Sequence, residues 1–158
     1  RDEVLGGFDP SNYSARQVWV TARDGVKVPM SIIVPRDFKN DGSHPLYQYA
    51  YGSYGYALDP WFYASWISLL DRGFVVAVAH VRGGEEMGRS WYEQGKMFSK
   101  MNTFNDYIDC SAYLVEHGYT RSDRLVAAGG SAGGLLIGAV ANMRPDLYRV
   151  MHLSLIHI

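Results

Sequence analysis

Gly129-Gly130-Ser131-Ala132-Gly133-Gly134 is the stretch that most limits how this chain can fold. It follows Leu125 to Ala128, a short apolar run that reads as a strand, and leads into an apolar helical run from Leu135 to about Met143. A strand-to-helix turn this sharp strains the serine backbone, and side chains at Gly129 and Gly133 would clash across it. Out of context, Gly129-x-Ser131-x-Gly133 is also the spacing of a plain glycine turn. The flanking strand and helix select the nucleophile elbow instead. In that geometry the Ser131 hydroxyl is lifted into the open. The Ala132 amide, unpaired at the helix N-terminus, is placed to donate to an oxyanion forming beside it.

The segments upstream supply the frame that an elbow needs. Gln17 to Ala22 and Val26 to Pro35 are β-rich runs flanking Asp24-Gly25, a dipeptide favoured in type I′ hairpin turns. Leu46 to Tyr51 reads as a third strand, Trp61 to Arg72 as a helix stopped at Gly73, and Phe74 to Val81 as a strand buried on both faces. Arg82 to Asn102 is a long polar stretch containing glycines. Thr103 to His117 is a helix whose Thr103-x-x-Asp106 start has the form of a capping box. An antiparallel hairpin leading into alternating strands and helices predicts an α/β fold with a mostly parallel sheet covered on both faces. The strand before Ser131 is then the fifth, its place in the α/β-hydrolase arrangement.

Composition removes several function classes. The 15 Lys+Arg against 16 Asp+Glu give a formal net charge of −1, and no basic block runs along the chain, so nucleic acid is not an expected partner. Apolar runs such as Phe74 to Ala79 are far shorter than the ~20 residues a membrane span requires. A single cysteine, Cys110, excludes an internal disulfide and a Cys-rich zinc cluster, and it reads as a small buried helix residue.

An oxyanion hole needs a second donor, which the elbow architecture takes from the loop after the third strand. That loop is Tyr51-Gly52-Ser53-Tyr54-Gly55, where the Tyr51 phenol is one candidate donor and plain aromatic packing is the other reading.

Tyr49-Ala50-Tyr51-Gly52-Ser53-Tyr54-Gly55, His80-Val81-Arg82-Gly83-Gly84-Glu85, Asn102-Thr103-Phe104-Asn105-Asp106-Tyr107, the glycine stretch around Ser131 and Arg144-Pro145-Asp146-Leu147 together resemble the prolyl oligopeptidase family. The Gly-Ser-Tyr-Gly and Gly-Gly-Ser-Ala-Gly-Gly forms are similar to its oligopeptidase B branch. The likeness runs from about Glu3 to Val150. It implies that Ser131 is the nucleophile, that Tyr51 and the Ala132 amide form the oxyanion hole, and that Tyr54 lies near the pocket for the residue preceding the cut. It also implies a cytosolic peptidase acting on oligopeptides, needing no metal or cofactor, with a β-propeller over the site. The oligopeptidase B branch cuts after Arg or Lys. Post-proline cleavage and a non-catalytic interaction module on the same fold are the alternatives.

The loop Arg82-Gly83-Gly84-Glu85-Glu86 follows the fourth strand, at the sheet edge where open α/β folds bind ligands. Glu85 is a candidate to meet a cationic substrate group, and Arg82 a candidate substrate contact. Solvation of the carboxylates and bracing of the loop by Arg82 are the competing readings.

A serine needs a base, and the hydrolase order is Ser, then Asp or Glu, then His. Only Asp146, His152 and His157 follow Ser131 among those types. Asp146 is expected at the far edge of the sheet, and His157 lacks an acid partner. His44, His80 and His117 read as loop, strand-end and helix-end residues. The expected organisation is therefore a lead-in over 1–16, the first six of eight α/β-hydrolase strands over 17–150, and an atypical, artefactual tail over 151–158. The triad acid, the base and the propeller are expected outside this chain, which would be inactive alone.

Overall fold

The computed structural model describes residues 7–60 and 63–155. Six strands form one sheet: β1 (Tyr13–Thr21), β2 (Lys27–Pro35), β3 (Leu46–Tyr49), β4 (Val75–Ala79), β5 (Leu125–Gly130) and β6 (Val150–Ser154). Their order is β1-β2-β4-β3-β5-β6. β2 is antiparallel to both β1 and β4, whereas β3 runs parallel to β4 and β5, and β5 parallel to β6. This is the expected α/β sheet with an antiparallel N-terminal hairpin.

Helices α1 (Ala64–Leu70), α2 (Arg89–Glu93), α3 (Met101–Glu116) and α4 (Ala132–Met143) complete the frame. Successive residues of a strand face opposite sides of its sheet, and β3 shows what covers each side. Gln48 donates to the Tyr107 carbonyl of α3 at 3.2 Å, and Tyr49 tilts against Trp66 of α1 with ring centroids 6.3 Å apart. β4, in the middle of the sheet, is buried at every residue, which explains its unbroken Val75-Val76-Ala77-Val78-Ala79 sequence. Cys110 is buried in α3 as expected, and burial pushes its thiol well above the ordinary range.

Several local expectations change. The hairpin closes with Gly25 N–H donating to Ala22 O at 2.8 Å, and only Gly25 of the Asp24-Gly25 pair has positive φ, so this is not a type I′ turn. The Asp24 carboxylate accepts from the Val26 amide at 3.1 Å and also pairs with Arg82 at 2.7 Å. The capping box does not form either, because α3 starts earlier, at Met101. Thr103 then lies inside the helix and donates to Arg82 O at 2.6 Å, while Asp106 is taken by Arg82. At the helix start a distant arginine thus takes the groups a capping box would use. β1 begins at Tyr13, ahead of Gln17, and the stretch 82–102 holds α2 and a 3-10 turn at Met97–Ser99. The start expected for the first helix, Trp61, lies outside the described residues. The stretch expected to be atypical from 151 enters the sheet, with β6 in register from Val126↔Val150 to Gly130↔Ser154. Among the described residues no helix is long and apolar enough to cross a membrane.

Candidate active site

β3, β4 and β5 are parallel neighbours, so the segments leaving their C-terminal ends converge on one edge. The elbow leaves β5 there. Ser131 has φ +53° and ψ −118°, a left-handed conformation that costs a non-glycine residue about 1–2 kcal/mol. The close packing behind it explains two glycines. A Cβ on Gly129 would lie 2.4 Å from the Gly133 carbonyl oxygen, and one on Gly133 would lie 2.7 Å from that of Ala50. The Ser131 amide donates to Ser154 O of β6 at 2.7 Å, which ties the elbow to the sheet. The Ser131 side chain is exposed and makes no capping hydrogen bond. Ala132 is the first residue of α4, where amides have no intrahelical acceptor.

Residues 50–55 leave β3 alongside this turn. The Ala50 amide donates to Ala128 O at 3.3 Å. A Cβ on Gly133 would be 3.4 Å from Tyr51 Cα, so the Tyr51 backbone lies directly against the elbow. The Tyr51 ring, half-buried, meets Tyr56 edge-on at 5.4 Å. Ser53 to Tyr56 is a tight turn closed by Tyr56 N–H to Ser53 O at 3.0 Å, with both Tyr54 (φ +59°) and Gly55 (φ +65°) left-handed. Tyr54 therefore stands at the tip with 79% of its surface exposed. Backbone strain at an exposed aromatic beside an elbow is of the kind that accompanies function.

The loop after β4 braces this region. Arg82 is only 3% exposed, and its guanidinium donates to Asp106 at 2.9 and 2.6 Å and meets Asp24 at 2.7 Å. The Arg82 amide adds a bond to Asp106 at 3.0 Å. With its guanidinium buried and bonded to Asp106 and Asp24, Arg82 braces the loop, the second of the two readings the sequence offered for it. The hydrogen bonds to Asp106 raise the pKa of Arg82 and hold it charged. Burial lifts the Asp106 carboxyl against the pull of Arg82. The Gly55 amide donates to Gly83 O at 3.0 Å, so the two loops form one unit.

Glu85 is part-exposed, 3.9 Å from Arg89, and lines a cavity of about 1020 Å³ together with Tyr49, Asp59, Trp66, His80 and Glu86. The cavity borders the 56–60 segment, and Ser131, Tyr51 and Ala132 are not in its walls. Glu86 accepts from the Leu58 amide at 3.1 Å and lies 3.6 Å from His80 Nδ1, while His80 Nε2 is 2.8 Å from Ser31 Oγ. These links across the loops have no sequence signal beyond the His80-to-Glu85 motif and the Glu86 that follows it.

The described histidines are engaged elsewhere. His44 bonds Gly73 O at 2.9 Å, His117 bonds Tyr113 O at 2.9 Å, and His152 lies 3.1 Å from the Tyr47 hydroxyl on the sheet face. Asp146 pairs with Arg144 at 2.8 Å, before β6 begins. His157 lies outside the described residues. Among the described residues no group of three or more His, Cys, Asp and Glu side chains converges as metal ligands.

An exposed, strained serine between a buried strand and a helix N-terminus has the geometry for acyl transfer, and residues 60–154 match the prolyl oligopeptidase family. The chain belongs to the prolyl oligopeptidase family. The family's dipeptidyl aminopeptidase BI from Pseudoxanthomonas mexicana is 52% identical over 152 residues, 96% of this chain and 21% of that protein. The prolyl endopeptidase of Elizabethkingia meningoseptica is 41% identical over 143 residues, 90% of this chain and 20% of that protein. The structure of oligopeptidase B from Leishmania major superposes with a TM-score of 0.91 at 45% identity, covering 96% of this chain and 21% of that one. The chain thus spans about a fifth of the length of these prolyl oligopeptidase relatives. Its sheet is that of the α/β-hydrolase fold they carry.

Proposed function

We propose that the protein acts as a serine endopeptidase on short peptides, cutting after Arg or Lys, with Ser131 as nucleophile. One observation carries the reading: Ser131 stands exposed at φ +53° between β5 and α4, held by a backbone too close-packed for side chains at Gly129 and Gly133. Ser131 Oγ attacks the scissile carbonyl carbon and gives its proton to a base. The carbonyl oxygen becomes an oxyanion that accepts from the Ala132 amide and the Tyr51 hydroxyl. Collapse breaks the C–N bond as the base returns its proton to the leaving amine, and leaves an acyl-enzyme for water to hydrolyse. Each well-placed oxyanion donor is worth about 2.7–4 kcal/mol in such a step. No described histidine reaches Ser131, so the reading places the acid and the base in the part of the relatives' length that this chain does not span. It also places a β-propeller there, over the site, as the filter that admits peptides.

Cleavage after basic residues is supported by the likeness to the oligopeptidase B branch and by Asp59, Glu85 and Glu86 on the cavity beside the Tyr54 loop. Tyr54, at the exposed tip, is the residue this reading sets beside the side chain preceding the cut. The test is kcat/KM for matched arginyl and prolyl reporters with the full-length protein. A preference for arginine of about 10² or more is expected, since a site built for a charged group strongly rejects a neutral one. A preference for proline would transfer the assignment to post-proline cleavage.

A further inference from the structure

Lys100, at the start of α3, reaches the 51–55 loop with a charge that the proposed chemistry leaves unused. Its ammonium donates to the Gly52 carbonyl and, at 2.7 Å, to Ser53 Oγ. Among the described residues no carboxylate is paired with it, and burial lowers its pKa to about 8. It also occupies the N-cap of α3, where the helix dipole opposes a cation. A part-buried ammonium with no carboxylate partner, at the positive end of a helix, is costly. What it supplies in return is two charge-assisted donors, stronger than neutral ones, aimed at a single loop.

The place it grips matters. The loop is tied to β5 at Ala50 and to the next loop at Gly55. Between those ties lies Gly52, left-handed at φ +69° and directly after Tyr51. Gly52 is buried, its Cα packed closely against Val81 and Thr103, and the Lys100 bonds to its carbonyl and to Ser53 Oγ fix the orientation of the peptide that follows.

We propose that Lys100 is a positioning residue that fixes the Gly52–Ser53 segment so that the Tyr51 hydroxyl meets the oxyanion; this rests on the reading of Tyr51 as the second oxyanion donor. A loose donor weakens the transition state and leaves the ground state nearly alone, so the loss falls on kcat.

The test is a double-mutant cycle in the full-length peptidase. Lys100→Met keeps most of the side-chain length and removes the charge; it is expected to lower kcat about tenfold or more with KM within about twofold. Ser53→Ala, which leaves the Gly52 acceptor in place, should lower kcat about threefold. In a Tyr51→Phe background the same Lys100→Met change should cost less than about twofold, because a donor already removed cannot be misplaced. An unchanged kcat in Lys100→Met, or an equal loss in both backgrounds, overturns the inference. If Lys100→Met does not fold, the Ser53→Ala cycle against Tyr51→Phe decides by the same criteria. A Tyr51→Phe enzyme with full kcat would instead sink the oxyanion assignment, and the Lys100 role with it. That outcome is distinct from a slow Tyr51→Phe enzyme with an indifferent Lys100.

Discussion

If Ser131 is the nucleophile as proposed, Ser131→Ala should lower kcat/KM of the full-length protein for arginyl peptides by about 10⁴–10⁶, the range seen when an acyl-transfer nucleophile is lost. The fold should not suffer, for a steric reason. Alanine keeps the Cβ that makes φ +53° unfavourable, and the side chain it replaces is exposed and makes no capping bond. Ser131→Gly separates strain from chemistry. It should be as inactive as Ser131→Ala yet more stable by about 1 kcal/mol, because glycine occupies the left-handed region without penalty. Kinetics and thermal melts of the two variants check both halves. An active Ser131→Gly, or one less stable than Ser131→Ala, would contradict a strained nucleophile at this turn.

The second large effect is on stability. Asp106→Ala leaves the Arg82 guanidinium buried without its main partner, a loss of about 3–5 kcal/mol. In a domain of this size that corresponds to a fall in Tm on the order of 10 °C. Asp24→Ala removes the other carboxylate on the same guanidinium, but from a side chain 39% exposed, where pairs contribute about 1 kcal/mol or less. The asymmetry is the test. Equal shifts for the two variants would mean that Asp106 is not the buried anchor of the Arg82 loop.

The fold was legible where hydrophobic period and glycine punctuation are local properties. The continuous apolar run at Val75–Ala79, the Asp24-Gly25 hairpin and the elbow at Ser131 all appear in place. What was not legible depends on partners far apart in the chain. Thr103 and Asp106 have the spacing of a capping box, yet both serve Arg82, more than twenty residues earlier. Arg82 sits on a ligand-binding edge, which suggested substrate contact, but two carboxylates from separate elements turn it inward. Lys100 lies two residues before Asn102, the start of the Asn102-to-Tyr107 motif, and nothing in its neighbours announces a clamp on Gly52. Tyr51 was nameable because the elbow architecture calls for a donor loop after the third strand, and Tyr54 only through the family resemblance. That Tyr54 is left-handed shows only in the backbone.

The most direct test of the central claim is chemical. The full-length peptidase is treated with a fluorophosphonate, digested, and the adduct located by mass spectrometry. The expected result is one phosphonyl group per chain on the oxygen of Ser131, with activity lost in proportion and no labelling of Ser131→Ala. A phosphonyl group on another serine, or inactivation with Ser131 unmodified, would contradict the account.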